Sequence, residues 1–259
     1  MPELPESDAA RRRIEDHCLN RTIDRFEMGE TSHCDVPEGG ALRKLVGTRF
    51  GTTRRHGKYI FTGTDGGPWL HVHLGMSGSL RVWDAGDEAP DYARITVVFE
   101  GDRRLSFRDP RKFGTVAVID DVDDFIADKG LGPDAMEIGD NAFSQVIGGT
   151  RGAVKSALLA QSKLAGVGNL WSDETLYRSG VMPDARACDL EADTIARLYS
   201  EMRAVLGGVL DVNADYSRLP DDWLIHHREV GDTCPKCGGT IAKKTVGGRT
   251  AYHCPDHQS

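Results

Sequence analysis

The sequence predicts an α+β protein, and three observations along its 259 residues support this prediction. Short β-branched or aromatic runs, separated by glycines, fill much of residues 20–119. Helical patterns dominate 153–210, and three of the six cysteines lie in the last 26 residues. At 39% hydrophobic and 28% charged residues, the composition is typical of a globular chain long enough for two domains and a small appendage.

The N-terminal part begins with a helix and continues as strands. Residues 7–18 predict an amphipathic helix, with Ser7 as its N-cap. Five runs predict strands: "GKYIFTG", "WLHVHLG", "SLRVW", "ARITVVFEGDRRLSF" and "GTVAVID". The "EGDR" within the fourth run predicts a hairpin turn. Strands this short and this frequent are typical of a β-sandwich or a barrel.

The character of the chain changes after "KGLGPDAM" (129–136), a Gly/Pro segment suited to a linker. "AVKSALLAQSKLAG" and "NLWSDETLYRSG" predict two helices separated by "GVG", the second ending at Gly180, and "DLEADTIARLYSEMRAVLGGVL" predicts another. The Gly-rich turn "AGVGN" (165–169) could direct backbone N–H groups towards a phosphate. We therefore expect domains at 1–130, 131–230 and 231–259.

The C-terminal segment, 231–259, has the spacing of a metal site and is called the Cys/His segment below. Cys234 and Cys237 form a Cys-x-x-Cys pair, and Cys254 and His257 form a Cys-x-x-His pair after sixteen intervening residues. Three thiolates and one imidazole suit a single tetrahedral Zn²⁺ with a structural role. The alternative fourth ligand is His253, although its adjacency to Cys254 makes shared tetrahedral geometry awkward. Free cysteines without a metal are the other interpretation.

The charge distribution says more than the net charge of −8. Residues 120–128 carry five acidic and no basic side chains, whereas 103–112 carry five basic and one acidic. An acidic protein can therefore still offer a local surface to phosphate. No apolar run approaches the roughly 20 residues that span a bilayer, so we expect no membrane partner. The N-terminus lacks the apolar stretch of a secretory signal, and we expect a cytoplasmic protein.

Seven motifs occur in one order over nearly the whole chain: "MPELPE", "HGKY", "HLGMSGSLR", "DPRKFG", "LGPDA", "LLAQSKLAGVGNLWSDETLYRSGVMP" and the Cys/His segment. In these motifs the chain resembles the bacterial formamidopyrimidine-DNA glycosylase and endonuclease VIII family of base-excision repair. The resemblance implies an N-terminal β-sandwich, a helix–two-turns–helix domain that binds DNA, and a C-terminal zinc-finger β-hairpin. It implies a monomer that acts on double-stranded DNA containing an oxidised base or an abasic site.

The resemblance also implies catalytic roles. Once Met1 is removed, Pro2 would attack C1′ of the damaged nucleotide through its secondary amine, forming a Schiff base. An α-amino group titrates near 8, so a useful neutral fraction exists at neutral pH. Glu3 would transfer protons to and from the sugar. Lys58 matches the proton donor of β-elimination, with a phosphate contact as its plainer interpretation, and Arg249 matches the arginine of δ-elimination and phosphate binding.

DNA-binding residues follow by the same resemblance. Met76, Arg111 and Phe113 would fill the space left by an extruded base, although Met76 and Phe113 could instead belong to the core. Asn169 matches a phosphate-binding asparagine, and Arg111 could also donate to the orphaned partner base. The remaining candidates are Glu6, expected to orient the N-terminus, Tyr92, Arg151 and Lys155.

Some positions depart from the family pattern. Formamidopyrimidine glycosylases usually carry a Gly-Tyr-Phe loop that closes over 8-oxoguanine, and the interval 207–234 lacks it. Tyr92 stands near an expected histidine, Thr150 replaces an expected lysine, and His257 replaces the usual cysteine. We expect a bifunctional glycosylase and AP lyase for oxidised purines such as 8-oxoguanine and formamidopyrimidines. The alternatives are an endonuclease VIII-like enzyme for oxidised pyrimidines and a damaged-DNA binding protein that does not cleave.

Overall fold

The computed structural model describes residues 1–37 and 39–259 and divides them into two compact units. The first unit comprises Met1–Pro2 and Glu6–Lys129, and the second comprises Glu3–Pro5 and Gly130–Ser259. The chain therefore changes unit at Lys129, within the Gly/Pro segment. The Cys/His segment, expected as a third domain, belongs to the second unit. Within the described ranges, no helix has both the length and the apolar character needed to cross a bilayer.

The first unit is a β-sandwich flanked by helix α1 (Leu4–Cys18), which starts in the second unit's N-terminal residues. Its strands are β1 (Ile23–Met28), β2 (Phe50–His56), β3 (Tyr59–Thr64), β4 (Trp69–His73), β5 (Ser79–Asp84), β6 (Ala93–Phe99), β7 (Arg103–Arg108) and β8 (Thr115–Ile119). One sheet has the strand order β1-β6-β7-β5 and the other β2-β3-β4-β8. Two short helices, α2 (Gly39–Leu42) and α3 (Val122–Asp128), complete the unit. Because the inner faces of both sheets share one apolar core, the unit is the expected sandwich.

Helix α1 begins earlier than the sequence pattern indicated. It starts at Leu4 and includes Pro5, which the first turn tolerates because the N–H groups there have no partner within the helix. Ser7 is therefore not the N-cap. It is buried inside the helix, and its Oγ donates to the Lys58 carbonyl at 3.1 Å. The prediction failed because a hydroxyl that donates to a distant strand turn looks, in sequence, like one that caps a helix.

The second unit consists of helices around a separate core. Its helices are α4 (Asp140–Gly148), α5 (Val154–Leu159), α6 (Asn169–Ser179) and α7 (Ala192–Asp211). Trp171 of α6 and Leu206 of α7 are buried in this core. Helix α6 ends at Gly180, whose φ of 70° provides the left-handed C-cap that the sequence predicted. The helix expected over 153–166 stops at Leu159, because Ala160 takes an extended conformation with a ψ of 93°.

The Cys/His segment contains one β-hairpin, formed by β9 (Ala242–Val246) and β10 (Arg249–His253). Gly247 and Gly248 connect the strands with φ values of 55° and 74°. Positive φ at both central residues is the requirement of a two-residue type I′ turn, so two glycines in succession fix the hairpin register. Arg249 consequently pairs with Val246 at the tip of the hairpin.

Candidate functional site

In the first unit, two loops are joined by the buried carboxylate of Asp109. Its Oδ1 accepts from Ser77 Oγ at 2.9 Å and from the Arg111 backbone N–H at 3.2 Å. Its Oδ2 accepts from the Gly114 backbone N–H at 2.7 Å. The β4–β5 loop (74–78) and the β7–β8 loop (109–114) are therefore held side by side by one side chain.

The approach of the two loops brings together three predicted site residues. A Cβ on Gly75 would lie 2.4 Å from the carbonyl carbon of Phe113, so only glycine permits this packing. Met76 is 37% exposed and Phe113 is 56% exposed, which excludes the core role considered for them. The Arg111 guanidinium lies 5.3 Å from the centre of the Phe113 ring. The first unit thus presents a thioether, a phenyl ring and a guanidinium on adjacent loops.

Tyr92 lies on the same surface as two arginines. Its φ is 59° and its side chain is exposed. The guanidinium groups of Arg94 and Arg108 lie 5.9 Å and 5.6 Å from its ring centre. The Arg94 Nε also donates to the Asp109 carbonyl at 2.8 Å, so Tyr92 is connected to the loop that carries Arg111 and Phe113.

Lys58 occupies the turn between β2 and β3, where Gly57 has a φ of 57°. The turn is attached to α1 through the Ser7 hydrogen bond to the Lys58 carbonyl. Next to it, His73 of β4 packs on the Tyr59 ring at 4.8 Å. Burial, together with the charge of Lys58, lowers the pKa of His73 to about 4, so this histidine is neutral at physiological pH. Glu6 is half-buried on α1 in the same unit.

In the second unit, the Glu3 carboxylate is held at the N-terminus of α6. Its Oε2 accepts from the backbone N–H of Gly168 at 2.8 Å and of Trp171 at 3.2 Å. Its Oε1 accepts from the N–H of Leu170 at 2.8 Å. The first turn of a helix offers N–H groups without helical partners and a favourable dipole for an anion. Glu3 occupies that position as an intramolecular anion and is almost completely buried.

This arrangement corrects the interpretation of "AGVGN" as a phosphate loop. The N–H groups of Gly168 and of the first turn of α6 bind Glu3, and no phosphate is needed to satisfy them. Gly166, with a φ of 115°, packs its Cα against Leu4, and its carbonyl accepts the Leu4 N–H at 3.1 Å. Asn169, the first residue of α6, is half-buried, and its Oδ1 lacks a hydrogen-bond partner within the described ranges. Because a phosphate oxygen only accepts, a phosphate contact by Asn169 would use the side-chain NH2 group and not Oδ1.

Lys155 takes a different position from the one expected of a phosphate contact. Its side chain is 0% exposed, and its Nζ lies 2.5 Å from Asp173 Oδ1 and 3.0 Å from the Thr250 carbonyl. Asp173 Oδ2 accepts from Arg228 at 2.6 Å and from the Tyr252 N–H at 3.2 Å. This geometry favours an internal ion pair that holds β10, and it disfavours contact with DNA. Arg151 is exposed, as a phosphate contact requires.

Cys234, Cys237, Cys254 and His257 converge in the Cys/His segment. One ligand atom from each lies within 4.8 Å of every other. The Cys234 Sγ is 3.4 Å from His257 Nδ1, and the Cys237 Sγ is 3.5 Å from the Cys254 Sγ. Such a cluster could hold one metal ion, and three sulfurs with one imidazole form a donor set suited to a soft or borderline cation in tetrahedral geometry.

The histidine of the cluster is His257, as the spacing predicted. Its Nε2 is 3.0 Å from the Tyr177 carbonyl. Because a carbonyl only accepts, Nε2 must carry the proton, which leaves the Nδ1 lone pair for the metal. The rival, His253, is buried in β10 and does not belong to the cluster.

The remaining catalytic candidates are accessible. Pro2 is half-buried behind an exposed Met1, and Arg249 is exposed at the hairpin tip.

Sequence reasoning missed Asp109 and Asp173, the carboxylates that organise the two loops and the hairpin. The "DPRKFG" motif contained Asp109, but its role depends on residues more than thirty positions away, such as Ser77.

Comparison with known proteins gives a consistent result. Residues 1–116 match the formamidopyrimidine-DNA glycosylase N-terminal domain, and residues 130–220 match the formamidopyrimidine-DNA glycosylase H2TH domain. A formamidopyrimidine-DNA glycosylase of Roseiflexus sp. (strain RS-1) is 33% identical over 277 residues, covering 100% of both chains. One from Geobacter metallireducens is 34% identical over 281 residues, again covering 100% of both.

Solved structures agree with the sequence comparison. Lactococcus lactis formamidopyrimidine-DNA glycosylase, bound non-covalently to DNA containing an abasic site, is 25% identical and superposes with a TM-score of 0.89. A MutM complex with DNA containing carbocyclic 8-oxoguanine is 26% identical, with a TM-score of 0.90. Each match covers 100% of both chains.

Proposed function

Because this chain belongs to the formamidopyrimidine-DNA glycosylase family, we propose that it is a bifunctional DNA glycosylase and AP lyase of base-excision repair. Its substrate is double-stranded DNA with an oxidised base or an abasic site. We expect it to act as a monomer in the bacterial cytoplasm. The relatives support the class of reaction, and the residues of this chain supply the mechanism below.

One observation carries the mechanism, namely the anchoring of the residue that follows Pro2. Three backbone N–H groups hold the Glu3 carboxylate at the N-terminus of α6. The backbone from which Pro2 extends is thus fixed at its first buried residue. A protein that only binds DNA has no use for a terminal proline followed by a buried glutamate. The arrangement suits an N-terminal nucleophile that must approach one carbon atom reproducibly.

The reaction begins once Met1 has been removed. The neutral nitrogen of Pro2 attacks C1′, the bond to the oxidised base breaks, and the base leaves with a proton. Opening of the sugar ring converts the adduct into an iminium ion, in which the nitrogen carries the positive charge. Loss of a C2′ proton then expels the 3′ phosphate by β-elimination, a second elimination expels the 5′ phosphate, and water releases Pro2. We assign proton transfers to Glu3 and Lys58 and the second elimination to Arg249.

The cation held by the Cys/His segment is Zn²⁺, bound by Cys234, Cys237, Cys254 and His257. It supplies no chemistry, because four protein ligands leave no open position. Its function is to hold the hairpin whose tip carries Arg249. Asn169 and Arg151 bind backbone phosphates in this proposal, and Tyr92 contacts DNA from the first unit.

Access to the base requires its extrusion, which costs a few kcal/mol and leaves a gap in the stack. Met76 and Phe113 are exposed apolar groups that would fill this gap, while Arg111 would donate to the unpaired partner base. The exposure of two large apolar side chains on adjacent loops has no packing benefit of its own. A nucleic-acid base is the surface that these side chains fit.

Oxidised purines are the proposed lesions, and oxidised pyrimidines are a second candidate that one observation favours. The interval after α7 is packed into the core of the second unit, with Leu219 and Trp223 buried there. Both Glu174 oxygens accept backbone N–H groups from this interval, those of Leu224 at 3.1 Å and Ile225 at 3.0 Å. A segment anchored in this way differs from a loop that closes over 8-oxoguanine. A cleavage panel with 8-oxoguanine, formamidopyrimidine, thymine glycol and dihydrouracil duplexes distinguishes the two classes.

The covalent step is tested by borohydride trapping on a duplex with an abasic site. Protein from which Met1 has been removed should become covalently linked to the DNA, and Pro2→Gly should lose most of the adduct. A fully processed wild-type protein that binds the duplex but gives no adduct would establish the non-cleaving alternative and exclude the proposed chemistry.

A further inference from the structure

A groove of about 500 Å³ lies in the first unit, between the second half of α1 and strand β5, at the edge of its sheet. Its polar lining, called the basic groove here, consists of Arg13, His17, Ser79, Arg81 and Arg108. Among the residues that the structure describes, no carboxylate lines it, although the protein carries a net charge of −8. A concentration of positive charge on an acidic protein calls for a specific explanation.

The arginines of the basic groove differ from neighbouring arginines in their pairing. Arg11 and Arg12 on α1 both pair with Asp8, and Arg103 on β7 pairs with Asp84. Over the described parts of the chain, Arg13, Arg81 and Arg108 form no ion pair. These three neighbours are thus neutralised by carboxylates, whereas the arginines inside the groove keep N–H donors for an external anion.

The groove is also partly preorganised. One guanidinium nitrogen of Arg13 donates to the Leu80 carbonyl at 2.6 Å, which fixes this side chain against the edge strand. The guanidinium of Arg108 lies over the exposed Tyr92 ring at 5.6 Å. Both side chains therefore lose little conformational entropy when they bind, and each retains further N–H donors.

The position of the groove indicates which anion it binds. Ser79 and Arg108 are register partners at the end of the β5–β7 ladder from which the β4–β5 and β7–β8 loops emerge. Met76 precedes Ser79 by three positions and Arg111 follows Arg108 by three. Residues 79–82 extend over ~10 Å, and a DNA strand carries one charge per ~3.4 Å of helix axis, so the groove matches about three phosphates.

We propose that the basic groove binds backbone phosphates of duplex DNA flanking the lesion. This inference rests on the proposed function, because it assigns to Met76 and Arg111 a place in the DNA. The groove extends the interface along one strand and adds affinity that is independent of the damaged base. The alternative explanation for charges on β5 is protection of an exposed sheet edge against pairing with another chain. That explanation predicts no effect on DNA binding.

The test measures how the Kd for undamaged duplexes of about 12 and 24 base pairs depends on salt concentration. It compares the wild-type protein with R13Q/R81Q. Loss of two phosphate contacts should reduce the slope of log Kd against log salt by about 2 on the longer duplex. R13K/R81K should retain the slope, since lysine keeps the charge. R43Q removes an exposed arginine outside the groove and serves as the matched control. Equal slopes for R13Q/R81Q and R43Q would overturn the proposal.

Failure of this proposal can be separated from failure of the proposed function. The groove is measured on DNA without a lesion, whereas borohydride trapping of the wild-type protein on an abasic duplex measures the chemistry. An adduct with an unchanged slope overturns only the groove. A reduced slope without an adduct supports the groove and overturns the enzymatic mechanism.

Discussion

Gly168 has no room for a side chain, because a Cβ there would lie 2.2 Å from Glu3 Cδ. In Gly168→Ala the Glu3 carboxylate must leave the N-terminus of α6. Each hydrogen bond to a charged group contributes about 1.5–3 kcal/mol, so we expect at least about 2 kcal/mol of lost stability. Displacement of Glu3 should also move Pro2 and reduce the rate of borohydride trapping by at least about tenfold. Denaturant unfolding and single-turnover trapping measure the two effects.

The matched control is Gly207→Ala. Gly207 lies inside α7 with open space around its Cα. Alanine in a helix interior is favoured over glycine by about 1 kcal/mol, so this variant should be slightly stabilised and should trap normally. If Gly168→Ala traps DNA at the rate of Gly207→Ala, then the contact between Glu3 and α6 has no part in catalysis.

His71 predicts a pH dependence of stability. It is buried against Tyr59, Phe61 and Phe125, and neither ring nitrogen has a hydrogen-bond partner in the described part of the chain. Burial, with smaller contributions from the charges of His73 and Lys129, lowers its pKa from the ordinary histidine value of 6.5 to about 3. The unfolded chain therefore takes up a proton near pH 6.5 that the folded protein does not. His71 therefore leaves the free energy of unfolding unchanged well above pH 6.5. The free energy of unfolding then decreases as the pH falls from 6.5 towards 3.

The measurement is denaturant unfolding of H71F at pH 7 and pH 5. Each pH unit below 6.5 costs about 1.4 kcal/mol per neutral buried histidine, so the wild-type protein should lose about 2 kcal/mol through His71 alone. H71F should show a correspondingly smaller loss, while H226Q, at an exposed position, should behave as wild type. An identical pH dependence in H71F and wild type would contradict the assignment.

At the scale of elements, the Lys155–Asp173 ion pair connects α5 and α6 to β10. Breaking a buried pair at one partner costs about 3–5 kcal/mol, because the other charge remains buried without compensation. K155M should show this loss in denaturant unfolding. K155M/D173N should be less destabilised than the sum of its single variants, since the uncompensated carboxylate is absent. Strict additivity in this double-mutant cycle would show that the two side chains do not interact.

The elements most accurately predicted from sequence were those with local signals. The β-branched and aromatic runs of β4 and β6 and the glycine that ends α6 predicted strands and a helix end close to those observed. The hairpin at "EGDR" was also confirmed, with positive φ at Gly101 and Asp102. Prediction failed where distant contacts determine the outcome. The N-terminus of α1 depends on Glu3 and α6.

In the candidate site, too, features with local signals could be predicted and those set by distant contacts could not. The Cys/His spacing and the exposed residues of the two loops could be found in sequence, because their chemistry is carried by residue type and short-range order. The hydrogen-bond partner of Glu3 could not be found in the sequence, because 165 positions separate Glu3 from Gly168. The ion pair of Lys155 could not be predicted from the sequence either. Its residue type suggested a phosphate contact, whereas in the fold it is buried beside Asp173. Residue type indicates what a side chain can bind, and the fold decides what it meets.

At the scale of the whole molecule, the Cys/His segment is the part most dependent on a ligand. Its small apolar cluster consists of Tyr177, Leu224, Cys234, Ile241 and Cys254, with Tyr252 packed against it. A core of this size, two of whose members are metal ligands, cannot compensate the conformational entropy of a segment of 29 residues. Binding of one Zn²⁺ contributes about 10–16 kcal/mol in small zinc domains, which is enough to order it.

We therefore expect about one zinc per chain, and Cys254→Ser to lose both the metal and DNA cleavage. Without the ion, β9 and β10 separate, Arg249 leaves its position, and the Tyr252 N–H no longer reaches Asp173. The first unit has its own core and should stay folded, so unfolding should change from one transition to two. Metal analysis, circular dichroism during unfolding and cleavage of abasic DNA measure these effects. C188S, which alters a cysteine outside the cluster, should retain zinc and activity. Full cleavage by a metal-free preparation would show that the hairpin positions Arg249 without the ion.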